Sequence, residues 1–387
     1  MASPAKAGQW DISGQGTLEA RYFPHDVAFA NQSQVSLSPS LTLEPEFVFE
    51  TKHAQNRFTI QPFIRWDADD DKRSHVDVRE FNWLHLGSTW DFTMGISKVY
   101  WGVTESAHLV DIINQTDAVE GITGEEKLGQ AMLNLNSEHS WGNLSMFILP
   151  GFRERSFTAN NARLHGPLNI DASQARYASS EQQHHTDWAL RWSHMWDDLD
   201  IALSHFQGTS REPRLLPIIV SGQAVFIPYY DQIQQTGLEL QLTTNNTLWK
   251  TEVIHRQGQG KPFYALVAGF EHTLYALAGS DADVGLLFEY LYDDRDPKAA
   301  PPTIANRDIF AGLRMVLNDT QDTSLLLGVL LDLEHQSILV NIEAERRLTN
   351  QLKLVLSSQL FNNIADQDIL AGVRQDDVVA LKLHYYY

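Results

Sequence analysis

Ser106, His108 and Asp111 lie close together in the sequence and carry the side-chain types of a nucleophilic catalytic triad. A triad requires a hydroxyl, an imidazole and a carboxylate that converge on one point, and residues this close in sequence rarely converge in that way. The spacing therefore predicts no catalytic residues, and we expect the chain not to be an enzyme.

Three further polar groups contain side chains that bind metals. His184 and His185 precede Asp187, but neighbouring residues of a strand point to opposite faces, which favours a solvated loop edge. The acidic runs at 67–71 and 293–296 lack the glycine and the distal glutamate of an EF-hand calcium loop. The sequence also has no phosphate-binding glycine loop or dinucleotide fingerprint. We therefore predict no metal site and no cofactor.

Composition excludes several classes of protein. The chain of 387 residues has no cysteine, which excludes disulfides, cysteine–zinc sites, thiol nucleophiles and a lipoprotein anchor. Its net charge of −20 argues against nucleic acid as a partner. No run of about 18 apolar residues is present, as a transmembrane helix would require. Residues 1–6 show no apolar signal segment, so an exported chain would be expected to be a mature form.

Hydrophobic residues recur with a period of two from one end of the sequence to the other, which predicts β-strands. The final stretch, 377–387, shows the pattern clearly. Leu381, Leu383, Tyr385 and Tyr387 share one face, whereas Lys382 and its alternate neighbours form a wetter face. A membrane barrel must end in a strand that pairs with the first, because no strand edge can remain open in lipid. This ending resembles the aromatic-terminated assembly signal of outer-membrane barrels.

The connections between predicted strands sort by parity. Nearly all odd-numbered connections are long, including 101–130, 150–183 and 207–235, and the even-numbered ones are short turns. About 18 strands with this asymmetry predict an all-β, transmembrane, antiparallel up-and-down β-barrel with long extracellular loops and short periplasmic turns. The 10 Trp, 12 Tyr and 18 Phe suit the aromatic girdles of such barrels. We expect residues 1–387 to form a single barrel domain in the outer membrane of a Gram-negative bacterium, with its lipids as partners.

The polar row of each strand must face the lumen, because a charged side chain on the lipid face costs about 2–4 kcal/mol at mid-bilayer. Mixed charges suit a water-filled channel, although they could also pair with one another inside a plugged barrel. The predicted pore-lining residues are Arg57, Arg65, Asp187, Arg191, Glu239, Lys250, Glu252, Glu271, Glu289, Arg314, Glu343, Glu345, Arg347 and Lys382.

The segment 101–130 is too apolar to remain free in water, since Leu109, Val110, Ile112 and Ile113 cluster within it. We expect it to fold into the barrel mouth and narrow it, although packing against neighbouring loops outside the lumen remains open. The polar residues that would then reach a permeating solute are Glu105, His108, Asp111, Asn114, Asp117, Glu125, Glu126 and Lys127.

The same segment carries a resemblance. Its pattern is a strand followed by Trp101-Gly102, Glu105-Ser106 and Asp111-Ile-Ile-Asn-x-x-Asp117. This pattern resembles an uncharacterised family of proteobacterial outer-membrane porin-like barrels, and it is loosely similar to alginate-export barrels. The resemblance implies a barrel that passes or binds a polar or amphipathic solute. It does not extend to alginate itself, because no dense arginine lining is evident.

Several functions are consistent with this sequence. The first is a porin-like channel for diffusion or facilitated transport of a polar or amphipathic small solute. The second is a plugged barrel that binds a surface polysaccharide or encloses a partner protein. The third is an enzyme acting on outer-membrane lipids. The sequence favours the channel, and it does not determine the oligomeric state.

Overall fold

A computed structural model describes residues 8–121, 124–220 and 222–387. The strands, in chain order, are β1 (Gln9–Tyr22), β2 (Leu37–Glu50), β3 (Asn56–Asp67), β4 (His75–Leu86), β5 (Trp90–Ser97), β6 (Gln130–His139), β7 (Gly142–Pro150), β8 (Arg176–Tyr177), β9 (Thr186–Trp196), β10 (Leu199–Thr209), β11 (Arg214–Val220), β12 (Gln223–Tyr230), β13 (Gln232–Thr244), β14 (Thr247–Gln257), β15 (Phe263–Leu274), β16 (Asp283–Asp293), β17 (Arg307–Val316), β18 (Ser324–Asp332), β19 (Ile338–Arg347), β20 (Leu352–Asn362) and β21 (Val378–Tyr386). Short 3₁₀ helices occupy Ala172–Gln174, Gln182–His184, Leu277–Gly279 and Ile369–Val373. No helix in the described residues has the length and apolar character needed to cross a membrane.

Eighteen of these strands form one antiparallel sheet that closes on itself, and the predicted barrel is therefore confirmed. Closure is made by β1 and β21, with Gln15 opposite Tyr386 and Tyr22 opposite Val379. Beyond the ladder, the backbone N–H of Tyr387 donates to the carbonyl of Gly14 at 3.1 Å. The aromatic ending thus pairs with the first strand and leaves no open edge in the wall.

The connections alternate between long and short around the barrel. One end carries short turns, such as 140–141, 197–198 and 245–246, and the other end carries 98–129, 151–185 and 210–231. The predicted asymmetry between the two ends is confirmed.

One predicted loop is partly strand. Within 207–235, the wall strands extend to Thr209 and resume at Gln232, and the residues between them form the hairpin β11–β12, which pairs with β8. Pro217 is tolerated because β11 is an edge strand, where a missing N–H donor does not interrupt a ladder on both sides.

The outward face is apolar and carries aromatic residues near both rims. Near the short-turn end, Trp10, Phe49 and Phe58 stack side by side on adjacent strands. Near the long-loop end, Trp66 and Tyr264 are exposed on the same outer face. Two aromatic belts around an apolar band are the arrangement expected at the two interfaces of a bilayer.

Part of the interior is a packed core. Trp101, Val110, Ile112 and Ile113 of the 98–129 connection are buried against inward-facing residues of the wall. Those wall residues lie on β6 through β15 and comprise Met132, Phe147, Leu149, Ala189, Phe206, Ile233, Ile254, Phe263 and Ala265. This connection therefore packs against the inner face of the wall and fills one side of the barrel.

Candidate functional site

The loop 98–129 crosses the lumen and binds the wall opposite its own strand. The carboxylate of Glu252 on β14 accepts the backbone N–H groups of Val103 at 2.7 Å, Thr104 at 3.0 Å and Val110 at 3.2 Å. Glu289 on β16 accepts two more backbone N–H groups of the loop, from residues 105 and 106, at 2.7 and 2.8 Å. These wall carboxylates act as acceptors for a loop segment that has no secondary structure of its own.

Close approach of the loop to the wall also depends on a glycine. A Cβ atom at Gly237 would lie 2.9 Å from Cγ1 of Val110, a distance that real Cβ contacts do not tolerate. The absence of a side chain at Gly237 therefore lets Val110 pack directly against the backbone of β13.

The far end of the loop binds a second part of the wall through arginines. Arg65 of β3 lies 2.6 Å from the carboxylate of Glu120, and Arg79 of β4 lies 2.7 Å from that of Asp117. Burial alone would raise the pKa of Asp117, but hydrogen bonding from His75 and the charge of Arg79 hold this pKa well below its usual range. The loop is thus anchored to both sides of the lumen.

Arg73, in the connection between β3 and β4, is the centre of this second anchor. Its guanidinium lies 2.7 Å from the carboxylate of Glu19 and 2.5 Å from that of Asp67, and its Nε donates to the carbonyl of Val119. Sequence reasoning missed Arg73, Glu19 and Glu120. The charged stretch at 67–74 was the available signal, but its partners are distant in the sequence.

The structure separates the three residues that resemble a catalytic triad. The hydroxyl of Ser106 donates to Glu289, whereas Nδ1 of His108 lies 3.9 Å from Glu252, which raises the pKa of the imidazole. Asp111 instead pairs with Lys127 at 3.2 Å. The hydroxyl, imidazole and carboxylate therefore have three different partners, and their arrangement offers no activated nucleophile.

The predicted constriction residues fall into two groups. Asn114, Asp117 and Lys127 are buried and hold the loop together; Asn114, for example, accepts the N–H of Val99 and donates to the carbonyl of Ser97. Asp111 and Glu105 are half-buried in ion pairs with Lys127 and Arg314. The residues exposed to the interior water are His108, Glu125 and Glu126.

The strand register places all the predicted pore-lining residues on the inward face, and their exposure divides them. Where the loop covers the wall, Asp187, Glu239, Lys250, Glu252 and Glu289 are buried. Arg65, Arg191, Glu271, Arg314, Glu345 and Lys382 are half-buried, and Arg57, Glu343 and Arg347 are exposed. That they line a permeation path remains a prediction.

The uncovered part of the wall runs from β18 through β21, whereas Glu19 of β1 and Ser40 and Thr42 of β2 are buried. At mid-height, Glu343 is exposed, and its inward-facing neighbours Asn341, Ser357 and Lys382 are half-buried. By contrast, Phe206 and Ile254 on the covered side are each 1% exposed. The interior therefore has a packed side and, opposite it, a side that water reaches.

Charges on the water-filled side are not balanced. Lysine and arginine side chains are mostly paired there, as in Lys353 with Glu345 and Arg314 with Glu105. Among the described residues, Lys382 is the one inward-facing lysine or arginine of β17–β21 that forms no ion pair. By contrast, several carboxylates of the inward face and the loop form no ion pair. These carboxylates are those of Glu44, Glu46, Glu125, Glu126 and Glu343.

Glu125 and Glu343 face each other across this gap. Although the side chain of Glu125 is exposed to the lumen, the surrounding barrel limits its hydration and so raises its pKa, and the negative charge of Glu343 raises it further. A carboxylate on the loop and another on the wall thus act on one another through the space that a solute would cross.

The other candidate metal ligands bind protein groups instead. His185 pairs with Asp187, which is fully buried and also binds Arg211 at 2.7 Å. In the acidic runs, Asp67 and Asp70 accept backbone N–H groups of their own turn. These carboxylates fix loops and are buried, so the predicted solvated loop edge and solvated loop charge are wrong for Asp67, Asp70 and Asp187.

Comparison with known proteins supports the fold and not a particular family. No protein-family model matches the chain, and no curated protein matches it. OpdQ of Pseudomonas aeruginosa has a similar structure, with a TM-score of 0.54 and 12% identity over 98% of this chain and 97% of that one. Wzi of Escherichia coli, an outer-membrane protein involved in group 1 capsule assembly and described as a carbohydrate-binding β-barrel, has a TM-score of 0.55 and 11% identity over 97% of this chain and 84% of Wzi.

At these identities the likeness shows the fold alone, which is that of outer-membrane β-barrels. The broad resemblance to outer-membrane porins and barrels is supported. The narrower resemblance to one uncharacterised family, or to alginate-export barrels, remains a prediction.

Proposed function

We propose that the chain forms a channel in the bacterial outer membrane that passes small polar solutes and favours cations over anions. The observation that carries this proposal is the asymmetric interior, in which the loop covers one side and leaves inward-facing polar residues of β19 to β21 within reach of water. A barrel that served only as a scaffold would not need to keep this side open.

The charge preference follows from the unpaired carboxylates along the open side. Glu125 and Glu126 on the loop face the inward row that includes Glu343. Rings or clusters of carboxylates at a narrow point raise the local concentration of cations and repel anions. The mixed charges of the sequence therefore become a net negative constriction, because most basic side chains are neutralised by their own partners.

Electrical recording in planar bilayers tests both parts of the proposal. We expect conductance steps of stable size and, in a KCl gradient, a reversal potential of the sign for cation selectivity. The double variant Glu125→Gln with Glu343→Gln should lose most of this selectivity while it still conducts. Asp197→Asn, which removes one charge from an exposed short turn, is the matched control and should behave as the parent protein.

A plugged barrel that binds carbohydrate is the second candidate. It is favoured by the filled half of the lumen and by the likeness in fold to Wzi, which is described as carbohydrate-binding. A folded, detergent-purified barrel that gives no conductance steps, but that retains labelled glycans on an array, would replace the channel with this function. Release of fatty acid from outer-membrane lipid would instead indicate an enzyme.

A further inference from the structure

A cavity of about 420 Å³ opens at the long-loop end, between the connections 294–306, 333–337 and 363–377. Among the side chains that line it and can bind a metal, Asp293 and Glu334 pair with arginines, and Asp294 accepts the N–H of Tyr264. The others are Asp308 of β17, Asp332 of β18, His335 and Asp368. They come from two adjacent wall strands and two loops. The sequence analysis singled out none of them.

Three of these side chains already have the spacing of a metal site. One ligand atom from each of Asp332, His335 and Asp368 lies within 4.8 Å of the other two. Backbone contacts fix the two carboxylates, because Asp332 accepts the N–H of Glu334 at 2.6 Å and Asp368 accepts that of Leu370 at 2.8 Å. Nδ1 of His335 lies 3.0 Å from Asp332. Ligands that their own loops hold in place need little reorganisation to bind an ion.

Asp308 provides the independent observation. Its residue is 1% exposed, and its Oδ2 atom has no hydrogen-bond partner among the described residues. In the β17–β18 ladder Asp308 stands directly opposite Asp332, so two carboxylates share one side of the cavity wall. Like charges opposite each other destabilise a sheet, and a buried carboxylate without a partner is costly. A cation between them would remove both problems.

The arginines that line the cavity do not supply that cation. Arg295 pairs with Asp293 at 2.6 Å and with Glu212 at 3.3 Å, and Arg307 lies 3.6 Å from Glu334. In the part of the chain that the structure describes, neither arginine forms an ion pair with Asp308. The protein charges nearest to the site are therefore committed elsewhere.

We propose that Asp308, Asp332, His335 and Asp368 bind one divalent transition-metal ion, of which Zn²⁺ is the representative. Three carboxylates and one imidazole form a four-ligand set of the type that Zn²⁺ accepts. The imidazole favours such an ion over Mg²⁺ and Ca²⁺, which prefer oxygen ligands alone. The ion would join β17 and β18 to the 363–377 loop at the mouth of the barrel. This inference does not depend on whether the lumen conducts.

Calorimetric titration of the detergent-purified, chelator-treated full chain with Zn²⁺ tests the proposal. We expect one tight equivalent and a higher midpoint of thermal unfolding in the presence of Zn²⁺. Asp308→Asn and His335→Gln should each weaken binding by about tenfold or more. His53→Gln removes an exposed histidine of a distant short turn, and it should bind as the parent does.

Several outcomes would overturn the assignment. The absence of a tight equivalent would show that any Zn²⁺ binds only weakly, to surface histidines. A loss of binding in His53→Gln equal to that in His335→Gln would likewise assign the ion to surface histidines. Equal competition by Ca²⁺ would refute an imidazole-preferring ion. If Asp308→Asn raised the unfolding temperature while the parent bound no Zn²⁺, the two carboxylates would share a proton and not a metal. Gel mobility before and after heating establishes that each variant is a folded barrel.

Discussion

Replacement of Glu252 by alanine tests how far the position of the loop 98–129 depends on this one wall carboxylate. In the native structure this carboxylate, which is fully buried, accepts three backbone N–H groups of the loop, from Val103, Thr104 and Val110. Thr104 and Val110 are themselves buried, so water does not readily replace the lost acceptor.

The expected magnitude follows from the number of donors. A buried donor left without a partner costs about 1–3 kcal/mol, so the two buried donors, Thr104 and Val110, cost roughly 2–6 kcal/mol if the loop stays in place. Release of the 101–110 part of the loop toward water avoids that cost. The anchors at Glu289 and at Arg65 remain, and we therefore expect a partly freed loop in a barrel that still assembles.

Single-channel recording is the assay. Glu252→Ala should show a changed conductance and increased noise of the open level, because a mobile segment now fluctuates inside the lumen. Glu252→Gln should have a smaller effect, since the amide oxygen still accepts hydrogen bonds. Glu345→Ala is the control, because Glu345 faces the lumen but pairs with Lys353 of the wall and not with the loop. If Glu252→Ala and Glu345→Ala both record like the parent protein, the anchoring argument is refuted.

Three further predictions concern assembly, pH and stability. Leu286→Arg places a charge on the lipid face at a cost of about 2–4 kcal/mol and should prevent membrane assembly. Glu343→Arg, on the open side of the lumen, should assemble normally. Equal yields of folded barrel would contradict the assignment of these residues to the outer and inner faces. The pKa of Glu125 is raised, so this group takes up its proton at a higher pH than an ordinary glutamate, and cation selectivity should decline there on acidification. Reversal potentials of Glu125→Gln should lack this pH-dependent decline. A decline that persists in the variant would assign the titration to another group. Arg73→Met leaves the buried carboxylate of Asp67 without an ion-pair partner, while Glu19 keeps Arg21 and Arg65. We expect it to lower the free energy of unfolding by about 3–5 kcal/mol, measured by heat-dependent gel mobility. Arg346→Met, at the exposed end of β19, should change it by less than about 1 kcal/mol, and similar losses in both variants would count against the buried network.

The barrel itself could be predicted from sequence because its rule is local. Alternation along a strand decides which side chains meet lipid and which meet the interior, and that decision needs no knowledge of distant residues. Leu381 and Lys382 differ in their surroundings simply because they are neighbours on a strand. The parity of loop lengths is likewise a property of chain order. The hairpin β11–β12 escaped this reasoning because it pairs with β8 and not with the wall strands, an arrangement that exists only in three dimensions.

The sequence by itself determined a closed barrel with an apolar exterior and a charged interior, and for 101–130 it left both an inward and an outward position open. Only the tertiary structure decided what each interior charge does. Glu252 and Glu343 occupy equivalent inward positions, yet Glu252 is buried beneath the loop and Glu343 is exposed to water. Asp308, likewise, becomes a candidate ligand through Asp332 and Asp368, which lie far along the chain. The physical reason is that burial and pairing depend on long-range contacts, whereas the direction of a side chain on a strand depends only on its neighbours.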